Sequence, residues 1–212
     1  MNLDWRRVIA AIDTESIDEA KGIVGRYSDK GCGFKIGGGI VLTHGLEAIA
    51  ALGAGRVFVD MKLHDIPNSV AIAARAIDRR GAWMTTLHAS GGSEMMKAAR
   101  DAVEKVLLVA VTVLTSLDDA MLSRVGAGAS AMDQALRLAE LAIECGMDGI
   151  VASPHEAKAI RRIAPDGFLI VTPGIRPAGA ARHDQQRAAT PEEALEAGAD
   201  YLVIGRALAS FD

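Results

Sequence analysis

The 212-residue chain is 50% hydrophobic and only 4% aromatic, with a formal net charge of −4. Ala, Val, Ile and Leu supply most of the apolar content, which favours a layered α/β protein over a β-sandwich, and the lack of basic runs argues against nucleic-acid binding. With no apolar run of 18 residues, no signal-peptide pattern and two widely spaced cysteines, Cys32 and Cys145, we expect no membrane segment and a cytoplasmic location.

Short apolar segments alternate with helical patterns from one end of the chain to the other. The segments are almost continuously apolar, as expected of parallel strands that are covered on both faces. Several follow a glycine of the kind that ends helices. We predict eight strands: Val8–Asp13, Gly33–Ile36, Val57–Met61, Met84–Leu87, Val106–Val111, Gly149–Ala152, Phe168–Val171 and Tyr201–Ile204.

Eight strand–helix units in about 200 residues predict one (β/α)8 TIM barrel that spans residues 1–212 as a single domain. A doubly wound sheet is the alternative, but it would usually carry GxGxxG after the first strand, where Asp13-Thr-Glu-Ser stands. Two helix starts, Ser153-Pro-His-Glu and Thr190-Pro-Glu-Glu, read as capping boxes. Only six residues follow Arg206, so we expect the final helix to be short or missing.

Polar residues fall where the predicted strands end, which is where barrels of this class carry their chemistry. The densest group lies in VFVDMKLHDIPNSV, residues 57–70, where Asp60 and Lys62 share one face of the strand by alternation. With Lys35 on the neighbouring strand and Asp65, four charges would alternate in sign, and burial would require them to pair. The alternative is a solvated strand end with a surface salt bridge.

A second group, after the last two strands, predicts a phosphate site. TPGIRP and IGR supply glycine N–H groups together with the guanidinium groups of Arg176 and Arg206, which can each donate two hydrogen bonds to phosphate. The segment between them, residues 177–187, could close over a ligand, with Gln185 as a neutral donor. No two histidines have metal-ligand spacing, so we predict no metal site.

Several motifs in order along the chain resemble the orotidine 5′-phosphate decarboxylase family. DMKLHDIPNSV is similar to the family signature D-[LM]-K-[FL]-H-D-I-P-N-T, with Ser69 in place of the usual Thr. AAID, FKIG, VTVLTS, TPGIRP…DQQR…TP and VIGR match at the first, second, fifth, seventh and eighth strands. The resemblance implies decarboxylation of orotidine 5′-monophosphate to uridine 5′-monophosphate and CO2, without metal or cofactor, as the last step of de novo UMP biosynthesis.

The resemblance also implies a role for each matching residue. Lys62 would protonate C6 of the pyrimidine, Asp60 would lie beside the departing carboxylate, and Lys35 would hold the network and contact the ribose. Asp65, Ile66 and Ser69 would reach the active site of the partner subunit in a homodimer. The remaining substrate-binding positions are Asp13 at the ribose, Thr115 near the pyrimidine, Pro173, and Arg176, Gln185, Gly205 and Arg206 at the phosphate.

Two alternatives keep the same scaffold. Magnesium-dependent relatives that act on keto-sugar phosphates share DxKxxD but carry a glutamate near the end of the second strand. Lys35 stands there in this chain, and an ammonium group cannot coordinate a metal. The other alternative is a non-catalytic phosphate-binding barrel, which would not need to retain all four charges.

Overall fold

Eight parallel strands form a closed barrel in the computed structural model, which describes residues 3–127, 130–177 and 189–211. Neighbouring strands pair in chain order, and pairing of the last strand with the first closes the barrel. The predicted (β/α)8 fold is therefore confirmed, with strand ends within two residues of prediction. The strands are β1 (Val8–Ile12), β2 (Gly33–Ile36), β3 (Val57–Leu63), β4 (Met84–His88), β5 (Leu107–Val111), β6 (Gly149–Val151), β7 (Leu169–Thr172) and β8 (Tyr201–Ile204).

Helices occupy the connections between these strands. After β8 the chain forms a single 3-10 helix, Leu208–Phe211, in agreement with the expected short final element. The described α-helices are α1 (Ile17–Tyr27), α2 (Gly38–His44), α3 (Ala48–Ala51), α4 (Pro67–Arg79), α5 (Ser93–Asp101), α6 (Asp119–Arg124), α7 (Ala131–Glu144), α8 (Pro154–Arg161) and α9 (Pro191–Glu196).

The helix boundaries follow from local sequence signals. The N–H of Ser153 donates to Glu156 Oε2 over 2.8 Å before α8, and the N–H of Thr190 donates to Glu193 Oε2 over 2.8 Å before α9. The predicted capping box before α9 is thus complete, and the Glu156 half of the predicted box before α8 is formed. The glycines predicted to end helices adopt positive φ, a conformation that a Cβ disfavours: Gly31, Gly53, Gly81, Gly146 and Gly198.

Alternation along the strands divides the apolar residues into two layers. One set packs between the barrel and its helices, and the other fills the barrel interior. The interior set consists of Ile9, Phe58, Met84, Val109, Val171 and Val203. This packed layer fills the lower barrel, and a cavity lies above it at the C-terminal ends of the strands.

At the opposite, N-terminal end, Asp–Arg pairs hold the strands in place. Asp148, before β6, accepts from the N–H of Leu108 and from Arg100 Nη1, each over 2.7 Å. Asp200, before β8, accepts from the N–H of Ile170 over 2.8 Å and from Arg161. The two carboxylates thus accept from strand N–H groups that have no partner in the strand ladders. In this way they connect neighbouring strand–helix units of the barrel.

Candidate active site

A cavity opens at the C-terminal ends of the strands. Its charged side chains lie two positions beyond interior apolar residues, as strand alternation requires: Asp60 follows Phe58, and Asp13 follows Ala11. Nine of the residues predicted for the site line this cavity: Asp13, Lys35, Asp60, Lys62, Thr115, Pro173, Arg176, Gly205 and Arg206.

Asp60 is the centre of the charged network. Its Oδ2 lies 2.8 Å from Lys62 Nζ and 3.1 Å from Lys35 Nζ, while Oδ1 accepts from the hydroxyl of Thr86 over 2.9 Å. Lys35 Nζ also lies 3.7 Å from Asp13 Oδ1. Three strand ends, those of β1, β2 and β3, thus contribute to one chain of alternating charges.

Exposure increases outward along this network. The side chain of Asp60 is 9% exposed and that of Lys35 is 14% exposed, whereas Lys62 is 40% exposed and Asp13 is 68% exposed. Burial by itself raises the pKa of Asp60, but the charges of Lys35 and Lys62 and the hydrogen bonds from Lys62 and Thr86 lower this pKa below its ordinary value. Asp60 is therefore an anion that the two ammonium groups share, and Lys62 presents its ammonium group to the open side.

The backbone at Lys62 departs from a regular strand. Pairing of β3 with β4 joins Val59 to Thr85 and then Leu63 to Leu87, so two extra residues of β3 lie between these pairs. Lys62 has φ 46°, the one positive φ outside glycine in the described part of the chain. The side chain enters the cavity as alternation predicted, but through a bulge, and such strain is typical of functional sites.

Two arginines face the same cavity from the loops after β7 and β8. Arg176 follows a short parallel bridge in which Ile175 pairs with Ala189, and its N–H donates to the carbonyl of Ala189 over 3.0 Å. Arg206 follows Gly205. A Cβ at position 205 would lie 3.4 Å from Asp13 Oδ2, so the Gly205 backbone lies close to this carboxylate. The predicted Gln185 lies outside the described residues.

The rest of the cavity wall is largely apolar. Phe58 forms part of its floor, and the ends of β5 and β6 contribute Val111, Val113, Val151 and Ala152. A planar ring could therefore lie against this apolar wall with its polar edges toward the charged network.

Asp65, Ile66 and Ser69 do not line this cavity within the single chain. Asp65 is exposed, and its Oδ1 accepts from the N–H of Ile66 over 2.6 Å, while Ile66 as a residue is 67% exposed. Asp65 and Ser69 line a separate, shallow surface depression to which Lys62 also contributes. The lysine thus lies between the cavity and the outer surface that carries Asp65.

Sequence reasoning missed Thr86, which is fully buried on β4. Its hydroxyl accepts from the backbone N–H of Lys62 over 2.8 Å in addition to donating to Asp60. Threonine is common in strands, so the segment MTTLH gave no reason to select it. The one available signal was a pair of hydroxyl residues inside an otherwise apolar barrel strand.

The donor set around Asp60 does not favour a divalent metal. Lys35 Nζ lies between the carboxylates of Asp13 and Asp60, so an ammonium group fills the position from which a metal would bridge them. Within residues 3–127, 130–177 and 189–211, no cluster of three His, Cys, Asp or Glu side chains has a geometry that could hold a metal ion.

The closed barrel and the charged, ligand-sized cavity at its C-terminal end define a (β/α)8-barrel enzyme. The profile of the Orotidine 5'-phosphate decarboxylase / HUMPS family matches residues 6–210. The chain belongs to this family.

Individual relatives are similar over nearly their whole length. An orotidine 5'-phosphate decarboxylase from Nitrosococcus oceani is 45% identical over 210 residues, covering 96% of this chain and 90% of the relative. One from Haemophilus ducreyi is 44% identical over 207 residues, covering 94% and 90%. The crystal structure of orotidine 5'-phosphate decarboxylase from Lactobacillus acidophilus has a TM-score of 0.83 and 35% identity, covering 95% of this chain and 90% of that one. Among the described helices, none has the length and apolar character to cross a membrane.

Proposed function

We propose that the protein converts orotidine 5′-monophosphate to uridine 5′-monophosphate and CO2 in pyrimidine biosynthesis. The observation that carries this proposal is the arrangement of Lys35, Asp60 and Lys62 on one side of a cavity that Arg176 and Arg206 also line. The names of the relatives and the family support the same reaction.

The charge of the cavity suits this substrate. Four cationic side chains and two carboxylates are among the described lining residues, although the whole chain carries a net charge of −4. Orotidine 5′-monophosphate carries a phosphate and a ring carboxylate, so its two anionic groups can face Arg176 with Arg206 and the lysine network respectively. A locally cationic cavity in an acidic protein also concentrates an anionic substrate.

The proposed chemistry uses Lys62 as the acid. The bond between C6 and the carboxylate breaks, the electron pair stays on C6, and CO2 leaves. The Lys62 ammonium stabilises the developing negative charge and donates a proton to C6, which gives the product and a neutral amine that regains its proton from water. The ion pair of Lys62 with Asp60, at 2.8 Å, holds the ammonium in position before substrate binds.

Asp60 and Lys35 would act mainly by preorganisation in this scheme. The carboxylate of Asp60 is held on both sides before substrate arrives, and Lys35 connects it to Asp13 at the predicted ribose side. Because these charges are already paired, little reorganisation is needed as charge moves in the reaction. We propose that no metal or cofactor takes part.

We further propose a homodimer with shared active sites. Asp65 and Ile66 are exposed on the outer side of Lys62 and away from this chain's own cavity, as a contribution to a second subunit would require. A cytoplasmic location and a single-domain organisation remain predictions.

The decisive experiment is an absorbance assay with orotidine 5′-monophosphate and purified protein in buffer containing chelator. We expect the substrate absorbance to disappear at the same rate with and without chelator, and equimolar CO2 to be released. No turnover would contradict the proposal, and turnover that chelator abolishes would instead favour the magnesium-dependent relatives.

The shared site has its own test. Lys62→Ala and Asp65→Ala homodimers should each be inactive, whereas mixing them should restore one intact site per heterodimer. Mixing either variant with itself provides the control. If the mixed sample recovers no activity although mass spectrometry shows heterodimers, the shared-site dimer is contradicted.

A further inference from the structure

Thr86 joins the two central residues of the charged network through one hydroxyl group. The hydroxyl donates to Asp60 Oδ1 over 2.9 Å and accepts from the backbone N–H of Lys62 over 2.8 Å. Thr86 is fully buried, so water does not compete for either contact. The one hydroxyl therefore acts as a donor to residue 60 and as an acceptor from residue 62.

The bulge in β3 explains why a side chain is needed at this point. In the regular part of the ladder, backbone carbonyls of β4 would accept from the N–H groups of β3, but pairing is interrupted between Val59 and Leu63. The N–H of Lys62 lies in this interruption and would be left without a ladder partner. The Thr86 hydroxyl accepts from this N–H instead of a ladder carbonyl. The bond lies at a residue, Lys62, whose φ of 46° is unfavourable in a regular strand.

The same hydroxyl sets the orientation of the Asp60 carboxylate. With Oδ1 bound to Thr86, Oδ2 faces both ammonium groups, at 2.8 Å from Lys62 Nζ and 3.1 Å from Lys35 Nζ. Rotation of the carboxylate would exchange these partners and move the ammonium of Lys62. The hydrogen bond from Thr86 is also among the causes that lower the pKa of Asp60.

We propose that Thr86 is a positioning residue that fixes the Lys62 backbone and the Asp60 carboxylate together for proton transfer. The catalytic part of this inference rests on the proposed function. Thr86 does not line the cavity and acts only through these two residues. Its loss should therefore lower kcat with little change in KM.

Thr85 provides a matched control on the same strand. It is also fully buried, and its hydroxyl donates to the backbone carbonyl of Val59 over 2.8 Å and not to Asp60 or Lys62. Thr85→Val and Thr86→Val thus each remove one buried hydroxyl by the same substitution. Thr86→Ser keeps the hydroxyl, and Thr86→Ala replaces the valine variant if that variant fails to fold.

We expect Thr86→Val to lower kcat about 10- to 100-fold while KM stays within about threefold. Thr85→Val should keep kcat within about threefold, and Thr86→Ser should recover most of the lost kcat. The acidic limb of the kcat profile should move to higher pH in Thr86→Val, because the Asp60 carboxylate loses a hydrogen bond. Unchanged kcat in Thr86→Val, an equal loss in Thr85→Val, or no recovery with serine would each overturn the proposal.

A measurement without turnover separates this proposal from the proposed function. The Asp60 carboxyl carbon is followed by 13C NMR during a pH titration, with Asp60→Asn used to assign its signal. Its titration midpoint should rise in Thr86→Val and not in Thr85→Val, even if the wild-type protein proves inactive toward orotidine 5′-monophosphate. An unchanged midpoint would overturn the positioning role, whereas inactivity with a raised midpoint would overturn the proposed function alone.

Discussion

Charged side chains at the two ends of the barrel are bound in different ways. At the N-terminal end, Asp148 and Asp200 each accept from one strand N–H and one arginine. Arg161 additionally donates to the carbonyls of Gly198 and Phe168. The charges at this end therefore complete the hydrogen bonding of the backbone and fix the strands.

At the C-terminal end, the charges bind mainly one another. Asp60 Oδ2 is shared between two ammonium groups, and Lys62 turns toward open space at the cost of an unfavourable backbone conformation. The difference indicates that the N-terminal end contributes to stability, whereas the C-terminal end holds a charge arrangement that folding alone does not require. Substitutions at the two ends should consequently separate activity from stability.

The largest effect on activity should come from Lys62→Ala. We expect kcat to fall by at least about 10⁴-fold, because the proton donor and the charge next to C6 disappear together. The free energy of unfolding should fall by less than in the variant that follows, since Lys35 still pairs with Asp60 at 3.1 Å and the Lys62 side chain is 40% exposed. Steady-state kinetics measures kcat, and urea denaturation measures the free energy of unfolding. If Lys62→Ala lost as much stability as Arg161→Ala, the proposed difference between the two ends of the barrel would be contradicted.

The converse variant is Arg161→Ala at the N-terminal end. It leaves the carbonyls of Gly198 and Phe168 and the carboxylate of Asp200 without this donor. We expect the free energy of unfolding to fall by about 1–3 kcal/mol, reduced by partial exposure of the pair, while kcat per folded molecule stays unchanged. A large loss of kcat in protein shown to be folded would contradict a purely structural role.

The sequence allowed the C-terminal end to be interpreted more fully than the N-terminal end. Charged residues such as Asp60 and Lys62 are costly to bury at the end of an apolar strand, so their presence indicates a functional site. Strand alternation then directs Asp60 into the barrel. Asp148 and Asp200 stand in similar Gly-x-Asp segments before strands, GMDGIV and GADYLV. The sequence contains this repeat, but it does not show which groups the two carboxylates bind. These are the N–H groups of Leu108 and Ile170, which only the strand register brings into reach.

Other features depended on the three-dimensional pairing of β3 with β4. The bulge that places Lys62 in a positive-φ conformation comes from two residues that have no counterpart on the neighbouring strand. For the same reason, Thr86 could not be connected with Lys62, which lies 24 positions away. The outward position of Asp65 follows the end of β3 and the start of α4 at Pro67, which local sequence signals do indicate.

Acidification should weaken the C-terminal network through Asp60. Its folded-state pKa lies below the ordinary value of 3.8, so its contribution to stability is complete above that pH and is lost as pH falls through the folded-state pKa. Asp60→Asn should therefore be less stable than wild type at neutral pH, because Lys35 and Lys62 lose their shared counter-charge. Urea denaturation between about pH 7 and about pH 3 should show this difference narrowing on acidification; a constant difference would contradict the assignment.

The smallest expected effect concerns a pair of histidines beside the same network. The rings of His64 and His88 lie 5.3 Å apart between centroids, and burial, then His64, then Lys62 lower the pKa of His88 below 6.5, against an opposing effect of Asp60. Neutral His88 thus contributes stability above pH 6.5 that is lost as pH falls through its folded-state pKa. His64→Asn should raise this pKa, because one source of repulsion for the protonated ring is removed while burial and Lys62 remain. NMR titration of the His88 ring measures the change, and a pKa that stays constant or falls would show that His64 does not oppose protonation of His88.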